Sequence, residues 1–327
     1  MDKSKSIVEL QRLFQQEIIA TSFANDPKEL YAPIDYFLNL GGKRLRPILV
    51  LLSADIYGFD LQRAMPQALA IELFHNFTLV HDDIMDEAPL RRGLQTVHEK
   101  WDSNIGILSG DALFVKAYEA IVKVDSAYLP SLMKVFNTTA LQVCEGQQYG
   151  MNFQNKEDVS MASYIKMIKY KTGVLLACSL QIGALISGAS KQDQAHLYAF
   201  GLHLGIAFQL MDDILDVYAR QKDFGKQIAG DILSNKKTCL YIKARELAKA
   251  NHRVVLDIYF SSKNFDPKEK IDKVMEVYDV LQVKKYCLEM MDYHHQIALN
   301  HIGLLQVSEE RKSSLKEFSE LLMIRQN

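Results

Sequence analysis

The stretch ALAIELFHNFTLVHDDIM, residues 68–85, places apolar side chains at the i, i+3, i+4 spacing of a buried helix and ends in adjacent carboxylates. The next residues, DEAPLRRG, add a third aspartate and two neighbouring arginines, and the segment EAPLRRG is predicted to be a loop. Because residues four apart share one face of a helix, Asp82 and Asp86 point the same way, and Asp83 lies about 100° away. Two carboxylates one turn apart repel each other unless a cation lies between them. The stretch predicts a long core helix that ends in a cation site, although a single such cluster also fits a helix end that meets solvent.

The same pattern returns in FQLMDDILDVY, residues 208–218, where Asp212 and Asp216 are one turn apart and Asp213 lies off their face. A second copy after a second apolar run argues against a solvated helix end. Oxygen-only ligand sets favour hard cations such as Mg²⁺, which binds one or two carboxylates together with substrate phosphates. No cysteine pair and no histidine at ligand spacing suits zinc. The two clusters therefore predict metal ions that bridge aspartates and a diphosphate.

Basic residues stand beside glycine turns and close to the aspartates in the sequence. GGKRLRP, residues 41–47, puts three cations at the apparent start of a helix, where exposed backbone N–H groups and positive side chains bind anions. Any one of the basic residues, taken alone, is by default a solvated charge. Their repetition predicts two anion pockets that flank a metal site, with the candidates Lys43, Arg44, Arg46, Arg91, Arg92, Lys171, Lys226, Lys236 and Lys237.

The composition is that of an ordinary globular protein. The 327 residues are 48% hydrophobic and 24% charged, and the net charge of -2 argues against a nucleic-acid binder. Helical spacing recurs along the chain, while strict alternation of apolar and polar residues is absent. We predict an all-α protein with a single domain of ten or more helices over residues 1–327. Four widely spaced cysteines form no metal motif and predict buried thiols in a reducing, cytoplasmic compartment.

One segment meets the length test for a membrane span. TGVLLACSLQIGALISGAS, residues 172–190, carries no charge over 19 residues, and residues 194–211 are also uncharged if both histidines are neutral. Polar residues and glycines dilute the first segment, and the second runs directly into the aspartates of DDILD. Helices that are apolar all round are buried in protein cores. We therefore expect a buried pair of central helices rather than a membrane span, and an amphipathic N-terminal helix rather than a signal peptide.

Five motifs together carry a resemblance to a known family. GGKRLRP, HDDIMDEAPLRRG, KTG, FQLMDDILD and FGKQIAGDILSNKKT occur in the order and spacing of the trans-isoprenyl diphosphate synthases, so residues 41–238 resemble the polyprenyl synthetase family. The helices after about residue 240 are placed by analogy only. The resemblance implies the isoprenoid-synthase fold, an all-α bundle around a deep central cavity, usually assembled as a homodimer. It also implies a prenyltransferase that adds isopentenyl diphosphate to an allylic diphosphate (dimethylallyl, geranyl or farnesyl).

Carried over residue by residue, the resemblance implies that Asp82 and Asp86 are ligands of two Mg²⁺ ions and that Asp212 is a ligand of a third. The other three aspartates would act mainly through waters and hydrogen bonds to the ligands; these are Asp83, Asp213 and Asp216. Many relatives have GQxxD where this chain has GQQYG, so Gly150 replaces an aspartate. That departure puts a peripheral contact of the metal site in question but not the core chemistry.

The resemblance also assigns two diphosphate pockets. The residues implied for the allylic diphosphate are Arg91, Lys171 and Lys226, with Lys236 and Gln209 near it. The residues implied for isopentenyl diphosphate are Lys43, Arg46, His75 and Arg92, and without the resemblance His75 is also explained as a satisfied core histidine. Oxygen atoms near Lys171, Thr172 and Gln209 would stabilise the allylic cation, and the released diphosphate would remove the proton.

The helix that carries the first aspartates also predicts product length. Thr78 lies one turn before Asp82, about 5.4 Å along the axis, and Phe74 lies two turns before it. Phe77 is five residues before Asp82, a position where an aromatic resembles the pattern of geranylgeranyl (C20) synthases. We expect Phe74 and Phe77 to form the floor of the tail pocket, with farnesyl (C15) product as the second possibility and ordinary core packing as the alternative.

Two other classes of protein fit parts of the pattern. A terpene cyclase shares the fold and the first aspartate motif, but it usually carries a different second motif and lacks GGKRLRP. A non-catalytic subunit of a heteromeric synthase typically loses aspartates, whereas all six are present in this chain. An active prenyltransferase is therefore the expected function.

Overall fold

The computed structural model of the chain describes residues 5–21, 23, 25–154, 156, 158–219, 229–261 and 265–323. The helices of the N-terminal half are α1 Ile7–Ala20, α2 Lys28–Asn39, α3 Leu45–Asp55, α4 Leu61–Met85, α5 Val97–Lys100, α6 Ser103–Ile121, α7 Leu129–Gln154 and α8 Met161–Ile168. A π-helical turn, Lys169–Gly173, follows α8 directly. The remaining helices are α9 Val174–Ile186, α10 Lys191–Tyr218, α11 Gly230–Leu233, α12 Cys239–Leu247, α13 Ala250–Ser261, α14 Pro267–Val280, α15 Val283–Gly303 and α16 Glu309–Met323.

One short hairpin interrupts a segment that the sequence analysis assigned to a loop. Strands β1, Leu90–Arg91, and β2, Leu94–Gln95, pair antiparallel, and this is the sheet found in the described ranges. The two residues between the strands, Arg92 and Gly93, both have positive φ, 55° and 79°. A two-residue type I′ turn requires that backbone conformation. The loop prediction for EAPLRRG was therefore wrong in detail, because the turn residues permit a tight hairpin.

The chain divides into two compact units. Unit 1 consists of Met1–Phe136, Cys178–Leu197 and Leu305–Leu315. Within it, α4 packs against α3 and α6, and every residue of α3 from Pro47 to Ala54 is buried. The side chain of Asp60 caps the N-terminus of α4 by accepting a hydrogen bond from the backbone N–H of Gln62 at 3.0 Å. This packing holds the 25-residue helix that carries the first aspartate cluster.

Unit 2 consists of Asn137–Ala177, Tyr198–Leu304 and Lys316–Asn327. Its core is built from apolar side chains of α8, α10, α12, α14 and α15. Helix α12 packs against α8, α14 and α15 in this core. The second aspartate cluster lies near the C-terminal end of α10. The prediction of a single domain over the whole chain stays a prediction.

The long uncharged segment and the cysteines can also be compared with the sequence expectations. Helix α9, from the long uncharged segment, has 13 residues and is buried along its length except at Gln181. In the described part of the chain, no helix combines the length and the hydropathy needed to cross a bilayer. The expectation of four buried thiols was wrong for one residue, since Cys144 is exposed on α7 while the other three cysteines are buried.

Candidate active site

The first aspartate cluster occupies the last turn of α4. Asp86 follows the helix as its C-cap, and its backbone N–H donates to the carbonyl of Asp82 at 2.9 Å. This helical hydrogen bond keeps the two residues one turn apart on one face. Asp82 is partly exposed and Asp86 is exposed, whereas Asp83 is only 2% exposed. The cluster thus has two accessible carboxylates and one that faces inward.

Asp83 is held by the hairpin that follows α4. Nε and Nη2 of Arg91 each donate to one Asp83 carboxylate oxygen at 2.7 Å, which makes a two-pronged ion pair. Charge-assisted pairs of this geometry are among the strongest hydrogen bonds in proteins. Asp83 therefore positions Arg91, and the guanidinium predicted to contact the allylic diphosphate lies at the end of the aspartate helix.

The turn GGKRLRP divides its three cations between the surface and the core. Arg44 has a left-handed backbone, with φ 48° and ψ 38°, immediately before α3. Its guanidinium is buried and donates to the carboxylate of Glu72 and to the carbonyl of Leu38. Lys43 is exposed and Arg46 is half-buried. The sequence expectation that Arg44 helps to bind an anion was therefore wrong, because its charge is neutralised inside unit 1.

Arg92 lies directly over this turn. Gly42 has φ 129°, and a Cβ atom there would come within 2.7 Å of Nη2 of Arg92. A side chain at position 42 would therefore displace the guanidinium. Burial and the nearby charges of Arg44 and Arg91 lower the pKa of Arg92 from its ordinary value. The contact brings together two segments that lie about fifty residues apart in the sequence, as the predicted pocket for isopentenyl diphosphate requires.

His75 lies among these cations. Nη1 of Arg46 is 2.9 Å from Nε2 of His75. Because a guanidinium can only donate, Nε2 must accept, and the neutral ring carries its proton on Nδ1. Burial, followed by the charges of Arg46, Arg91 and Arg92, holds the pKa of His75 well below its usual range. A group of cations that depresses a histidine pKa in this way also attracts anions.

The second aspartate cluster is tied into unit 2 by two of its members. Asp213 is 5% exposed, and its two oxygens accept from the Tyr164 hydroxyl at 2.5 Å and from Nε2 of Gln209 at 3.0 Å. Burial and then the charge of Asp231 raise the pKa of Asp213 to about 7, against the effect of the two hydrogen bonds. Asp216 accepts from the backbone N–H of Asp231 at 2.9 Å. Asp212, the predicted metal ligand, is partly exposed.

Lys171 and Thr172 lie in the π-helical turn between α8 and α9. A Cβ atom at Gly146 of α7 would lie 2.3 Å from the backbone nitrogen of Lys171, so glycine allows α7 to pass close to this turn. The Thr172 hydroxyl donates to Oε1 of Gln209 at 3.0 Å. Single π-helical turns occur frequently at functional sites. Three of the predicted polar residues of unit 2 are thereby connected through a turn that sequence periodicity did not indicate.

Of the three remaining predicted cations, all lysines, two lie among the described residues. Lys226 lies outside the described residues. Lys236 is exposed and forms an ion pair with Asp231 at 3.0 Å. Lys237 donates to the carbonyl of Phe153 at 2.9 Å, which directs its ammonium group to the protein backbone. The sequence alone could not separate these three lysines.

The predicted product-length residues lie in an aromatic cluster of unit 1. Phe74 is buried, and its ring centroid is 5.4–5.8 Å from those of Phe77, Phe114 and Phe136. Phe77 is half-buried and stacks on Phe114 at 4.9 Å. Thr78, on the next position of α4, donates its hydroxyl to the carbonyl of His75 at 2.8 Å. Phe114 is a member of this cluster that sequence reasoning missed, because its contact with α4 is made only in the tertiary structure.

The donor sets fit a hard cation that retains water. Among the described residues, no group of three or more histidine, cysteine or acidic side chains is assembled as a complete metal site. Mg²⁺ needs only one or two protein carboxylates when substrate phosphates and waters complete its shell. Two accessible oxygen donors one turn apart on α4 meet that requirement. Gly150, on α7, has no atom within 4 Å of an added Cβ, so packing does not enforce the loss of the aspartate found there in many relatives.

Comparison with known proteins places the chain in a family. Residues 27–278 match the family model described as Polyprenyl synthetase. The geranylgeranyl diphosphate synthase of Methanosarcina mazei is 41% identical over 235 residues, 71% of each chain. A crystal structure of a geranylgeranyl pyrophosphate synthase matches with a TM-score of 0.94 at 43% identity and covers 99% of this chain and 100% of the other. A polyprenyl synthase from Caulobacter crescentus, solved in complex with calcium and isoprenyl diphosphate, matches at 25% identity with a TM-score of 0.88 and complete coverage of both chains.

These relatives agree with the motifs and with the helical architecture. The all-α isoprenoid-synthase fold and the trans-prenyltransferase class predicted from the sequence are confirmed. Enzymes of this family use isopentenyl diphosphate and an allylic diphosphate, and they use Mg²⁺ to bind the diphosphate groups. The chain belongs to the polyprenyl synthetase family.

Proposed function

We propose that this enzyme condenses isopentenyl diphosphate with an allylic diphosphate and releases geranylgeranyl diphosphate, the C20 product. The observation that carries the proposal is the group of arginines around His75, which adjoins the first aspartate cluster through the Arg91–Asp83 ion pair. Cations beside accessible carboxylates suit a diphosphate whose charge is shared with Mg²⁺. The name of the Methanosarcina relative, a geranylgeranyl diphosphate synthase, supports the product length.

The predicted site residues of unit 1, apart from Arg91, are assigned to isopentenyl diphosphate and to metal. Lys43 and Arg46 of the glycine turn, with Arg92 of the hairpin, would neutralise the diphosphate of isopentenyl diphosphate. His75, neutral and bonded to Arg46, would orient that guanidinium. Asp82 and Asp86 would hold two Mg²⁺ ions.

The residues of unit 2 are assigned to the allylic substrate. Asp212 would hold a third Mg²⁺. Lys171 and Arg91 would neutralise the allylic diphosphate together with Lys226 and Lys236. The three Mg²⁺ ions, when bound, supply positive charge to the departing diphosphate. The Thr172 hydroxyl, which donates its proton to Gln209, has lone pairs left for the allylic cation.

The reaction needs no dedicated base from the protein. The allylic C–O bond breaks, and the diphosphate leaves with the electron pair. The double bond of isopentenyl diphosphate then attacks the cation to form the new C–C bond. The released diphosphate accepts the proton lost from the adduct, so the protein supplies preorganised cations and a dry pocket.

Product length and assembly complete the proposal. Thr78 leaves room for the growing tail at the first turn before Asp82, and the stacked Phe77 would stop it one isoprene unit beyond the C15 length. A homodimer is proposed from the outer face of α6, where Leu108, Val115 and the C-cap residue Val122 recur every seven residues and are 58%, 57% and 43% exposed. Contiguous apolar patches on a protein surface mark protein–protein contacts, and this row is the candidate contact.

Incubation of the purified chain alone with labelled isopentenyl diphosphate, Mg²⁺ and each allylic primer tests the function. Chromatography of the dephosphorylated products should show geranylgeraniol as the main alcohol. Farnesol as the end product would establish the C15 alternative. A cyclic hydrocarbon would indicate a terpene cyclase, and no product with any primer would indicate a non-catalytic subunit.

A further inference from the structure

A buried tyrosine contacts the second aspartate cluster from another helix. Tyr164 of α8 is 1% exposed, and its hydroxyl donates to Oδ2 of Asp213 at 2.5 Å. Asp213 lies next to the predicted metal ligand Asp212 and one turn beyond Gln209 on α10. Burial and then the charge of Asp213 raise the pKa of the Tyr164 hydroxyl well above its ordinary value, so it remains a donor. The Tyr164 side chain thus contacts an aspartate of the second cluster inside the core.

This contact is the end of a chain of four polar side chains. Nε2 of Gln209 donates to Oδ1 of Asp213 at 3.0 Å, and the Thr172 hydroxyl donates to Oε1 of the same glutamine at 3.0 Å. These four residues lie on α8, α10 and the π-helical turn, and all four belong to unit 2. Donors therefore hold both carboxylate oxygens of Asp213. Such a network resists rotation of any one member, because each rotation would leave a buried polar atom without its hydrogen bond.

We infer that Tyr164 is a positioning residue for the prenyl transfer reaction. By holding Asp213 inward, Tyr164 orients the last turns of α10. Asp212 thereby keeps its carboxylate available for the metal-bound diphosphate. This inference rests on the proposed function. Successive helical residues differ by about 100° in direction, so a fixed inward Asp213 determines where Asp212 points. The same network holds Gln209 and Thr172, which the proposed mechanism places at the allylic cation.

The substitution Tyr164→Phe removes the hydroxyl and keeps the ring. Loss of one donor to a buried carboxylate is expected to lower kcat by about tenfold or more and to raise the Mg²⁺ concentration for half-maximal activity by a similar factor. The KM for isopentenyl diphosphate should stay within about twofold of wild type, because no residue of that pocket belongs to the network. A role limited to stability would lower the unfolding temperature and leave the Mg²⁺ requirement unchanged.

The chain offers a second tyrosine–aspartate pair as a control, at the C-terminal end of α10. Tyr218 also donates to an aspartate, Oδ1 of Asp279 at 3.1 Å, and that aspartate lies outside both motifs. Tyr218→Phe removes the hydroxyl of a tyrosine–aspartate pair that is exposed rather than buried, and it should leave kcat and the Mg²⁺ requirement near wild type. Equal kinetic losses in the two variants would overturn the inference. A double mutant sharpens the test: if Tyr164 acts through Asp213, Tyr164→Phe should cause no further kinetic loss in the Asp213→Asn background, whereas losses that multiply would count against it.

A binding measurement separates this inference from the proposed function. Isothermal titration calorimetry of each protein with inorganic diphosphate in the presence of Mg²⁺ measures the affinity of the metal-dependent anion site without turnover. Failure of the wild-type chain to bind, together with no turnover, would refute the proposed function. Binding by the wild type with about tenfold weaker binding by Tyr164→Phe supports the inference, and equal affinities would refute it while leaving the proposed function intact.

Discussion

Removal of the Glu72 carboxylate tests how the turn GGKRLRP is held. Glu72 accepts from Arg44 and from Asn76, and the side chains of the ion pair, Arg44 and Glu72, are 6% and 3% exposed. In Glu72→Ala the Arg44 guanidinium would be buried without its counter-charge. Loss of one partner of a buried ion pair destabilises a protein by about 3–5 kcal/mol. Since the whole free energy of unfolding is about 5–15 kcal/mol, urea unfolding should occur at a clearly lower concentration.

Glu72→Ala should also weaken the binding of one substrate more than that of the other. Lys43 and Arg46 lie on either side of Arg44, so a guanidinium that leaves the core would displace both. We expect the KM for isopentenyl diphosphate to rise several-fold more than the KM for the allylic diphosphate. The measurements are urea titrations followed by circular dichroism and initial rates at varied concentrations of each substrate.

An exposed ion pair supplies the control. Lys273 and Glu276 are 3.0 Å apart on α14, and the Glu276 side chain is 64% exposed. Exposed pairs contribute about 0–1 kcal/mol, so Glu276→Ala should leave the free energy of unfolding and both KM values near wild type. The reasoning would be refuted if Glu72→Ala lost no more stability than Glu276→Ala, or if it lost stability while both KM values stayed unchanged.

Three further predictions concern turnover, substrate preference and product length. Asp82→Ala should abolish turnover with little change in the unfolding temperature, because the aspartates repel one another without a cation; more than a tenth of wild-type activity at saturating Mg²⁺ would contradict the ligand assignment. Lys43→Ala should chiefly raise the KM for isopentenyl diphosphate, and Arg91→Ala should chiefly raise the KM for the allylic substrate, since each variant loses a contact of about 1.5–3 kcal/mol. Equal increases of both KM values in both variants would argue against separate pockets. Phe77→Ala should lengthen the products and Thr78→Phe should shorten them, as chromatography of the alcohols would show, and unchanged products in both variants would refute the floor hypothesis.

Much of the geometry of the candidate metal site could be predicted from the sequence because that geometry is local. The spacing of Asp82 and Asp86 determines their common face through one helical hydrogen bond, which the structure contains at 2.9 Å. The apolar run before them predicts the core helix α4 in the same way. Motif order then identified the family, which the comparisons confirm. None of these inferences needs a contact between distant segments.

The sequence did not predict side-chain partners wherever a side chain could point in two directions. Lys43, Arg44 and Arg46 look alike in GGKRLRP, yet the left-handed backbone at Arg44 sends its guanidinium to Glu72, 28 residues away. Nothing in the local pattern selects that partner. The hairpin turn that places Arg92 over the glycine loop depends on positive φ at two successive residues, which a search for helical periodicity does not detect.

The second cluster shows the same division most clearly. The sequence by itself determined that Asp212 and Asp216 share a face of α10, because helical geometry repeats every 3.6 residues. Only the tertiary structure decided that Asp213 is buried against Tyr164 of α8 and linked through Gln209 to Thr172. These partners come from separate helices, and a carboxylate finds a buried donor only after the helices have packed. The chemistry of the motif is thus encoded locally, while its orientation depends on contacts between residues that are far apart in the chain.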